Sequence, residues 1–546
     1  MEPEASIKIE LETGKRREIK VCNKGHSLAD ELALNSLPLN LRCGQRSICQ
    51  GCEVELLEGT LLVNGIPVNP PATVKACCSR LAGPVTIRIP ARSRIDHTPE
   101  IGDTFEMAVP YAHQPLFPFV ARQRDTAFAV DVGTTTVVVL LVDLVTGAVL
   151  SRAGALNQQI RFGDNVVTRI QAAGNPGHLV AMQHAVVVET ILPLLVLTCE
   201  RAGRSMNRIA GGAIAGNTTM LHLLVGEDPT SLGIAPFTPQ FIAGRRVWAD
   251  DIQLVATELP AKTPVQLLPG IAAYIGADIA AGIYASGMAF DSTPSLLVDI
   301  GTNGEIVLQN GGKLFGCATA AGPAFEGCGL RCGTRARKGA VCDLNLKLNP
   351  FSLETGVIGG APLTQSNGLC GTAYLDFLAA GRNSGLLGAT GRFEMLAWEN
   401  LPAKNRFVDD GQRAIRLLEK NIGGPLIVSE LDVALLLQAK AAIGAGVEIL
   451  LETAGINAAD VGRVYLAGGF GMNLNVAHAI AIGLLPGFCE EQVRVIGNAS
   501  LAGTLLALVD RTTLEEMEDL RLRTEVVELN LVDGFESRYV EHLMLP

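Results

Sequence analysis

A chain of 546 residues has room for about three or four domain-sized units. With 48% hydrophobic and 18% charged residues it can bury large cores, which excludes wholesale disorder. A net charge of −11 argues against a dedicated nucleic-acid or anionic-membrane binder, although the first 95 residues are net positive. Residues 1–20 are charged and lack the apolar run of a signal peptide. The most apolar stretches, 136–150 and 185–199, are short and interrupted by Asp143 and Glu189, so no membrane span is expected. Thirteen cysteines without an export signal are expected as reduced thiols or metal ligands in a cytoplasmic protein.

Along the chain, strands are predicted over 6–11, 17–21, 54–58 and 85–89, around a cysteine-rich loop. Cys43, Cys49 and Cys52 stand in CGQRSICQGC, and Cys77 and Cys78 follow 25 residues later. Three thiolates from one tight loop and a distant fourth suit a [2Fe–2S] cluster, whereas structural zinc sites usually pair two short hooks. The spacing is that of plant-type ferredoxins, and ACCSRLAGPVTIRIPARSR resembles their pattern of a fourth ligand six residues before a glycine that opens the last strand. Counting back from Gly83 gives Cys77, with Cys78 the alternative. Cys317, Cys328, Cys332, Cys342 and Cys370 read as thiols packed among glycines, in preference to a second metal site.

Residues 91–125 are rich in proline and read as a tether of limited flexibility. From 126 onward, glycine-punctuated strands alternate with Ala/Leu-rich helices, an α/β pattern that contains an internal repeat. AFAVDVGTTTVVVLLVDLVTG (127–147) and LLVDIGTNGEIVLQNGG (296–312) each read as strand, Asp-x-Gly-Thr, strand, glycine turn. A third glycine-rich turn, VYLAGGFGMNLN (464–475), follows a helix expected to start at Ser429, with Asp432 completing a capping box. A carboxylate closing a buried strand can hold hydrated Mg²⁺, and the Gly-Thr turn after it offers amides and hydroxyls to phosphate oxygens.

The order of these three turns resembles the superfamily of sugar kinases, heat-shock chaperones and actin. That resemblance assigns Asp131, Gly133, Thr134, Thr135 and Thr136 to a first phosphate loop and Asp299, Gly301, Thr302, Asn303 and Gly304 to a second. It places Gly468, Gly469 and Gly471 beside an adenosine. Asn217 stands where chaperones place a water-orienting residue, and reads equally as a helix N-cap. Gln438 and Lys440, on the Ser429 helix, either reach the adenine or belong to a solvated face. Glu305 and Glu326 adjoin the loops closely enough in sequence to help hold Mg²⁺ or orient water.

A ferredoxin domain joined to such an ATPase resembles the reductive activators of corrinoid proteins. NQQIRFGDNVVTRI (157–170), AGNTTMLHLLVGEDPTSLGIAPFTP (215–239), GPAFEG (322–327) and LAGGFG (466–471) carry that family's character. The resemblance implies a mixed α/β and α+β chain: a β-grasp ferredoxin-like domain over 1–95, a linker over 96–125, and actin-like ATPase lobes over 126–294 and 295–546. It implies a [2Fe–2S] cluster, ATP and Mg²⁺ as cofactors. The expected partners are a corrinoid protein in its Co(II) form and a low-potential donor such as ferredoxin or flavodoxin, and a homodimer is compatible. Some relatives carry a further domain before the first phosphate loop; here only 91–125 intervene. Two other readings stay open: a small-molecule kinase that gained a ferredoxin domain, and a redox-responsive ATP-binding module without turnover.

Overall fold

The computed structural model describes residues 6–11, 16–21, 25–35, 37–39, 41, 45, 47, 51–90, 93, 104–409, 411–419 and 424–546. In the N-terminal part, strands Ser6–Leu11 and Val85–Ile89 run parallel inside a five-stranded sheet. Arg16–Lys20 pairs antiparallel on one side, and Glu53–Glu58 with Ala72–Lys75 on the other. Period-two alternation puts Ile7, Ile9, Val54, Leu56, Val85, Ile87 and Ile89 into one core with Leu28 and Leu32 of the helix Leu28–Leu34. Ser27 and Asp30 cap that helix reciprocally. A mixed sheet holding one helix is the expected β-grasp.

Two six-stranded sheets follow, and five strands of each share one order. The first runs Val149–Leu156, Thr136–Asp143, Thr126–Val132, Ile209–Gly216, Pro264–Leu267, with Arg245–Trp248 at its edge. The second runs Lys313–Thr319, Gly304–Asn310, Ser295–Ile300, Arg463–Ala467, Val493–Gly497, with Thr524–Val526 at the opposite edge. Each is an antiparallel meander continued by two parallel strands. The internal repeat is therefore a repeated sheet, and its equivalent strands Thr126–Val132 and Ser295–Ile300 end at the same cleft.

The halves are not separate in the chain. Helix Ala499–Val509, from the C-terminal region, packs on helix Ala277–Ser286 and on the first sheet. There Leu501, Leu505 and Leu508 join Ala127, Ala129 and Ala213 in one buried cluster. Helix Glu430–Ala454 starts at the expected Ser429/Asp432 capping box and buries most of its surface in the second core. It and the helical stretch Pro176–Ala202 are long and apolar enough to cross a membrane by length and composition; 78% and 50% of their most apolar windows are buried inside the protein.

The expected tether is corrected where it is described. Residues 104–125 lie along the ATPase body: the Glu106 amide donates to the Ile496 carbonyl, Ala108 to Ala285, Gln114 to Val509 and Leu116 to Leu508. Glu106 also pairs with Arg494 at 2.6 Å. Phe117 is 1% exposed and lies flat on the strand Ile209–Gly216. A Cβ on Gly211 would stand 2.5 Å from the Phe117 ring, and one on Gly212 would stand 2.1 Å from Phe128. The two glycines thus admit two aromatic rings against a single strand. Scattered apolar residues between prolines were an anchoring pattern, not a linker pattern. Phe117→Ala is expected to lower stability by about 3–5 kcal/mol. Urea unfolding followed through Trp248 checks this, and a change below about 1 kcal/mol would return the segment to a loose tether.

Candidate active site

The cleft between the sheets is lined by Asp131, Gly133, Thr134, Thr135 and Thr136 from the first loop and Asp299, Gly301, Thr302 and Asn303 from the second. Asn217, Gly468, Gly469 and Phe470 complete its rim, while Gly304 opens the return strand and Gly471 is buried behind the loop. Asp131 accepts a hydrogen bond from Asn498 Nδ2 at 2.8 Å on one oxygen and from Ser500 Oγ at 2.8 Å on the other. Both donors sit at the N-terminus of the helix Ala499–Val509, where the backbone dipole also favours an anion.

Asp299 faces Glu305 directly across the hairpin register, so both side chains lie on one side of the sheet. Asp278, in the first turn of helix Ala277–Ser286, adds a further carboxylate. Burial, then repulsion from Asp299 and Asp131, pushes Asp278 up to about 8. Burial and Asp131 push Asp299 up to about 7, and burial with Asp278 and Asp299 drives Glu305 well above the carboxylate range. Burial also raises Asp131, against the lowering effect of its two hydrogen bonds. Among the described residues no three His, Cys, Asp or Glu side chains meet at direct metal-ligand spacing. Carboxylates spread around a cleft fit a cation that keeps its waters, which is the preference of Mg²⁺.

The first loop is braced from behind by the segment 157–170. The Asn157 amide donates to the Thr135 carbonyl at 2.8 Å, and Asn157 Nδ2 donates to the Gly133 carbonyl at 2.9 Å. Arg169, with no exposed surface, donates to the carbonyls of Thr134 at 2.6 Å and Gly163 at 2.9 Å. Burial pulls this guanidinium down to about 9. Asn217 is the expected N-cap: its Oδ1 caps the helix Thr218–Val225 by accepting from the Met220 amide, while its Nδ2 donates to Thr134 Oγ1 at 2.9 Å. Gly468 has φ +91°, and a Cβ there would lie 2.6 Å from Asp299 Oδ1, so the third glycine turn sits directly on the second phosphate loop. Beside it, Phe470 stacks on Phe325 at 5.3 Å between ring centres.

Lys440 requires a correction. It does not line the cleft; it is 1% exposed and donates to the Met544 carbonyl at 2.6 Å, with burial lowering it to about 8. The helix that carries it is apolar on nearly every side, so its sequence did not say which face turns to the cleft. Gln438, two residues earlier, is exposed.

Of the expected cluster ligands, Cys43 and Cys49 lie outside the described residues. Cys52 and Cys77 are brought together: a hydrogen bond from Cys52, opposed by burial and aided by Ser47, lowers the Cys77 thiol to about 6. Ser47 Oγ is 3.4 Å from Cys77 Sγ. Cys78 also hydrogen-bonds the Cys77 thiol, and its Sγ donates to the Lys75 carbonyl at 3.4 Å. Two thiols meeting beside the cysteine loop, one of them poised as thiolate, fit a thiolate-ligated cluster.

Residues 293–546 match the model described as the C-terminal domain of RACo, the ASKHA domain, and 126–291 match the RACo middle region. The corrinoid activation enzyme RamQ of Eubacterium limosum is 33% identical over 76% of this chain and 70% of its own length. The chain belongs to the family of reductive activators of corrinoid proteins. A reductase of the Co(II) methylated amine-specific corrinoid protein from Methanosarcina barkeri is 26% identical over 72% of this chain and 71% of its own length. A solved reductive activator for corrinoid, iron-sulfur protein superposes with a TM-score of 0.72 and 27% identity, over 100% of this chain and 98% of its own. The two-lobed part is thus the actin-like ATPase fold.

Asp278, Asn498, Ser500, Asn157 and Arg169 escaped sequence reasoning because each acts on a loop far away in the chain. Only 157–170 gave a signal, as a family segment without an assigned job. An acid held protonated by folding costs nothing below its ordinary pKa, and its cost grows as pH rises toward the raised value. Asp278→Asn is therefore expected to stabilise the metal- and nucleotide-free chain by about 2 kcal/mol at pH 8 and by less than half that at pH 5. Denaturant unfolding at the two pH values checks the sign; an equal effect at both would contradict the repulsion.

Proposed function

We propose that this chain takes one electron at a time from a low-potential donor, of ferredoxin or flavodoxin type, and delivers it to a corrinoid protein. The delivery converts inactive Co(II) to Co(I) for methyl transfer and is driven by ATP. The observation that carries this reading is the meeting of two Asp-x-Gly-Thr loops and five carboxylates in one cleft, in a chain that also bears a cysteine-rich β-grasp domain. When bound, the cluster supplies a one-electron store and Mg²⁺-ATP supplies free energy and charge neutralisation.

The roles of the chain's own residues follow. Cys43, Cys49, Cys52 and Cys77 hold the [2Fe–2S] cluster. Gly133 to Thr136 and Gly301 to Gly304 present amides and hydroxyls to phosphate oxygens, and Gly468 to Gly471 border the adenosine. Asp131, Asp278 and Asp299 hold the hydrated Mg²⁺, with Asn498 and Ser500 fixing the first of them. Asn217, tied to Thr134, orients the water. Plant-type clusters lie near −400 mV, so an acceptor about 100–200 mV lower costs about 2–5 kcal/mol per electron. Nucleotide binding can meet that cost only by favouring one conformation or complex over another. Burial of the two long apolar helices inside the protein supports a soluble, cytoplasmic location.

The full chain, with reduced donor and Mg²⁺-ATP, is expected to convert a Co(II) corrinoid protein to Co(I), read by visible absorbance. Asp299→Ala is expected to abolish both ATP hydrolysis and Co(I) formation while leaving the iron–sulfur spectrum unchanged; normal hydrolysis by this variant would overturn the cleft assignment. Cys77→Ser is expected to alter or bleach the cluster absorbance and EPR signal, whereas Cys78→Ser leaves them intact. The reverse result would move the fourth ligand to Cys78.

A further inference from the structure

Glu326, in the GPAFEG segment, stands between the two loops and takes hydrogen bonds from both. Thr135 Oγ1, on the first loop, donates to its Oε2 at 3.0 Å, and Thr302 Oγ1, on the second, donates to its Oε1. The two hydroxyls are themselves 3.1 Å apart. Arg335 Nε reaches the same Oε2 at 3.3 Å. Glu326 and Arg335 both line the cleft and keep 16% and 22% of their side-chain surface exposed there. The arginine is not on a loose arm, because the neighbouring Thr334 amide donates to the Leu369 carbonyl at 2.9 Å. The other ionisable groups facing the pair are Cys328, Asp164 and Arg169, the last buried behind the first loop.

Two hydroxyls from opposite loops and a guanidinium, all aimed at one oxyanion, form a complete anion site. The anion now in it is the chain's own carboxylate. A triphosphate carries one more phosphate and more negative charge than a diphosphate, and that third phosphate can use all three donors.

We infer that Thr135, Thr302 and Arg335 form the terminal-phosphate site of the cleft, and that Glu326 is an internal anion which a nucleoside triphosphate must displace from them. This inference rests on the nucleotide reading above and adds to it a means of telling triphosphate from diphosphate. Arg335 contacts the terminal phosphate directly. Displacement of Glu326 exchanges one bridge between the lobes for another, so the presence of the third phosphate is registered on both loops at once.

The test is calorimetric titration of the full chain with ADP and with adenosine 5′-(β,γ-imido)triphosphate, both with Mg²⁺. Arg335→Ala is expected to weaken the triphosphate about tenfold or more and ADP less than about twofold. Arg335→Lys, which keeps the charge but loses the planar fork, is expected to weaken the triphosphate alone by about threefold and serves if the alanine variant melts early. Glu326→Gln removes the competing charge and is expected to tighten the triphosphate severalfold with ADP unchanged. Equal losses for both nucleotides in a folded arginine variant, or weaker triphosphate binding by Glu326→Gln, would overturn the inference. A wild-type chain that binds neither nucleotide would instead overturn the nucleotide reading beneath it.

Discussion

Asp131, Asp278, Asp299 and Glu305 crowd one cleft, and the repulsion among them bears on what the cleft can hold. Asp131, Asp278, Asp299 and Glu305 each have pKa values raised by burial, and three of them are raised further by their acidic neighbours. In the free chain protonation relieves this crowding, and a cation bound there would take the place of the protons. A triphosphate brings its own negative charge and would add to the repulsion, so it enters with a metal or not at all. On the proposed reading, the electrostatics therefore tie nucleotide binding in the cleft to binding of the cation.

The architecture makes that event consequential. Five strands of each lobe follow one order, so the same strand-loop-strand unit meets itself across the cleft. The halves are then interlocked rather than merely apposed. Asp131 of the first loop is fixed by Asn498 and Ser500, which the chain supplies just beyond the second sheet's edge strand Val493–Gly497. The segment 104–125, which leads out of the N-terminal part, is laid across that same helix and the first sheet. A change in the cleft thus has a packed route, through the helix Ala499–Val509, to the chain segment that precedes it. On the proposed reading, coupling between nucleotide and electron transfer would use this packed route if what the cleft contains biases the helix between two positions.

How much of this was legible depended on distance along the chain. The paired Asp-x-Gly-Thr turns, the Ser429/Asp432 cap and the β-grasp strands are local patterns, and the fold places them where those patterns predict, within a residue or so for strands such as Arg16–Lys20. Glu305 was noticed by its nearness to the loop, and the hairpin register gives the reason, since it pairs with Asp299. Asp278 and Asn498 had no such local signature: an acid in a helix's first turn and an Asn N-cap are ordinary features until the fold brings them to Asp131 and Asp299. Lys440 failed for a related cause, because a helix buried on almost all sides has no periodicity to orient a single charged residue. The segment 91–125 misled by composition, for proline signals a turn but does not reveal that Phe117 between the turns is anchored over Gly211.

The account rests on one claim, that nucleotide in the cleft makes an uphill electron transfer favourable rather than merely faster. An equilibrium measurement separates these. The chain and a Co(II) corrinoid protein are held together at a fixed solution potential near the cluster's own, and the Co(I) fraction is read from the visible spectrum until it no longer changes. The account expects a low plateau with Mg²⁺-ADP and a plateau at least severalfold higher while Mg²⁺-ATP is maintained. Identical plateaus reached at different rates would contradict it, for ATP would then be acting only on the speed of a transfer that needs no driving.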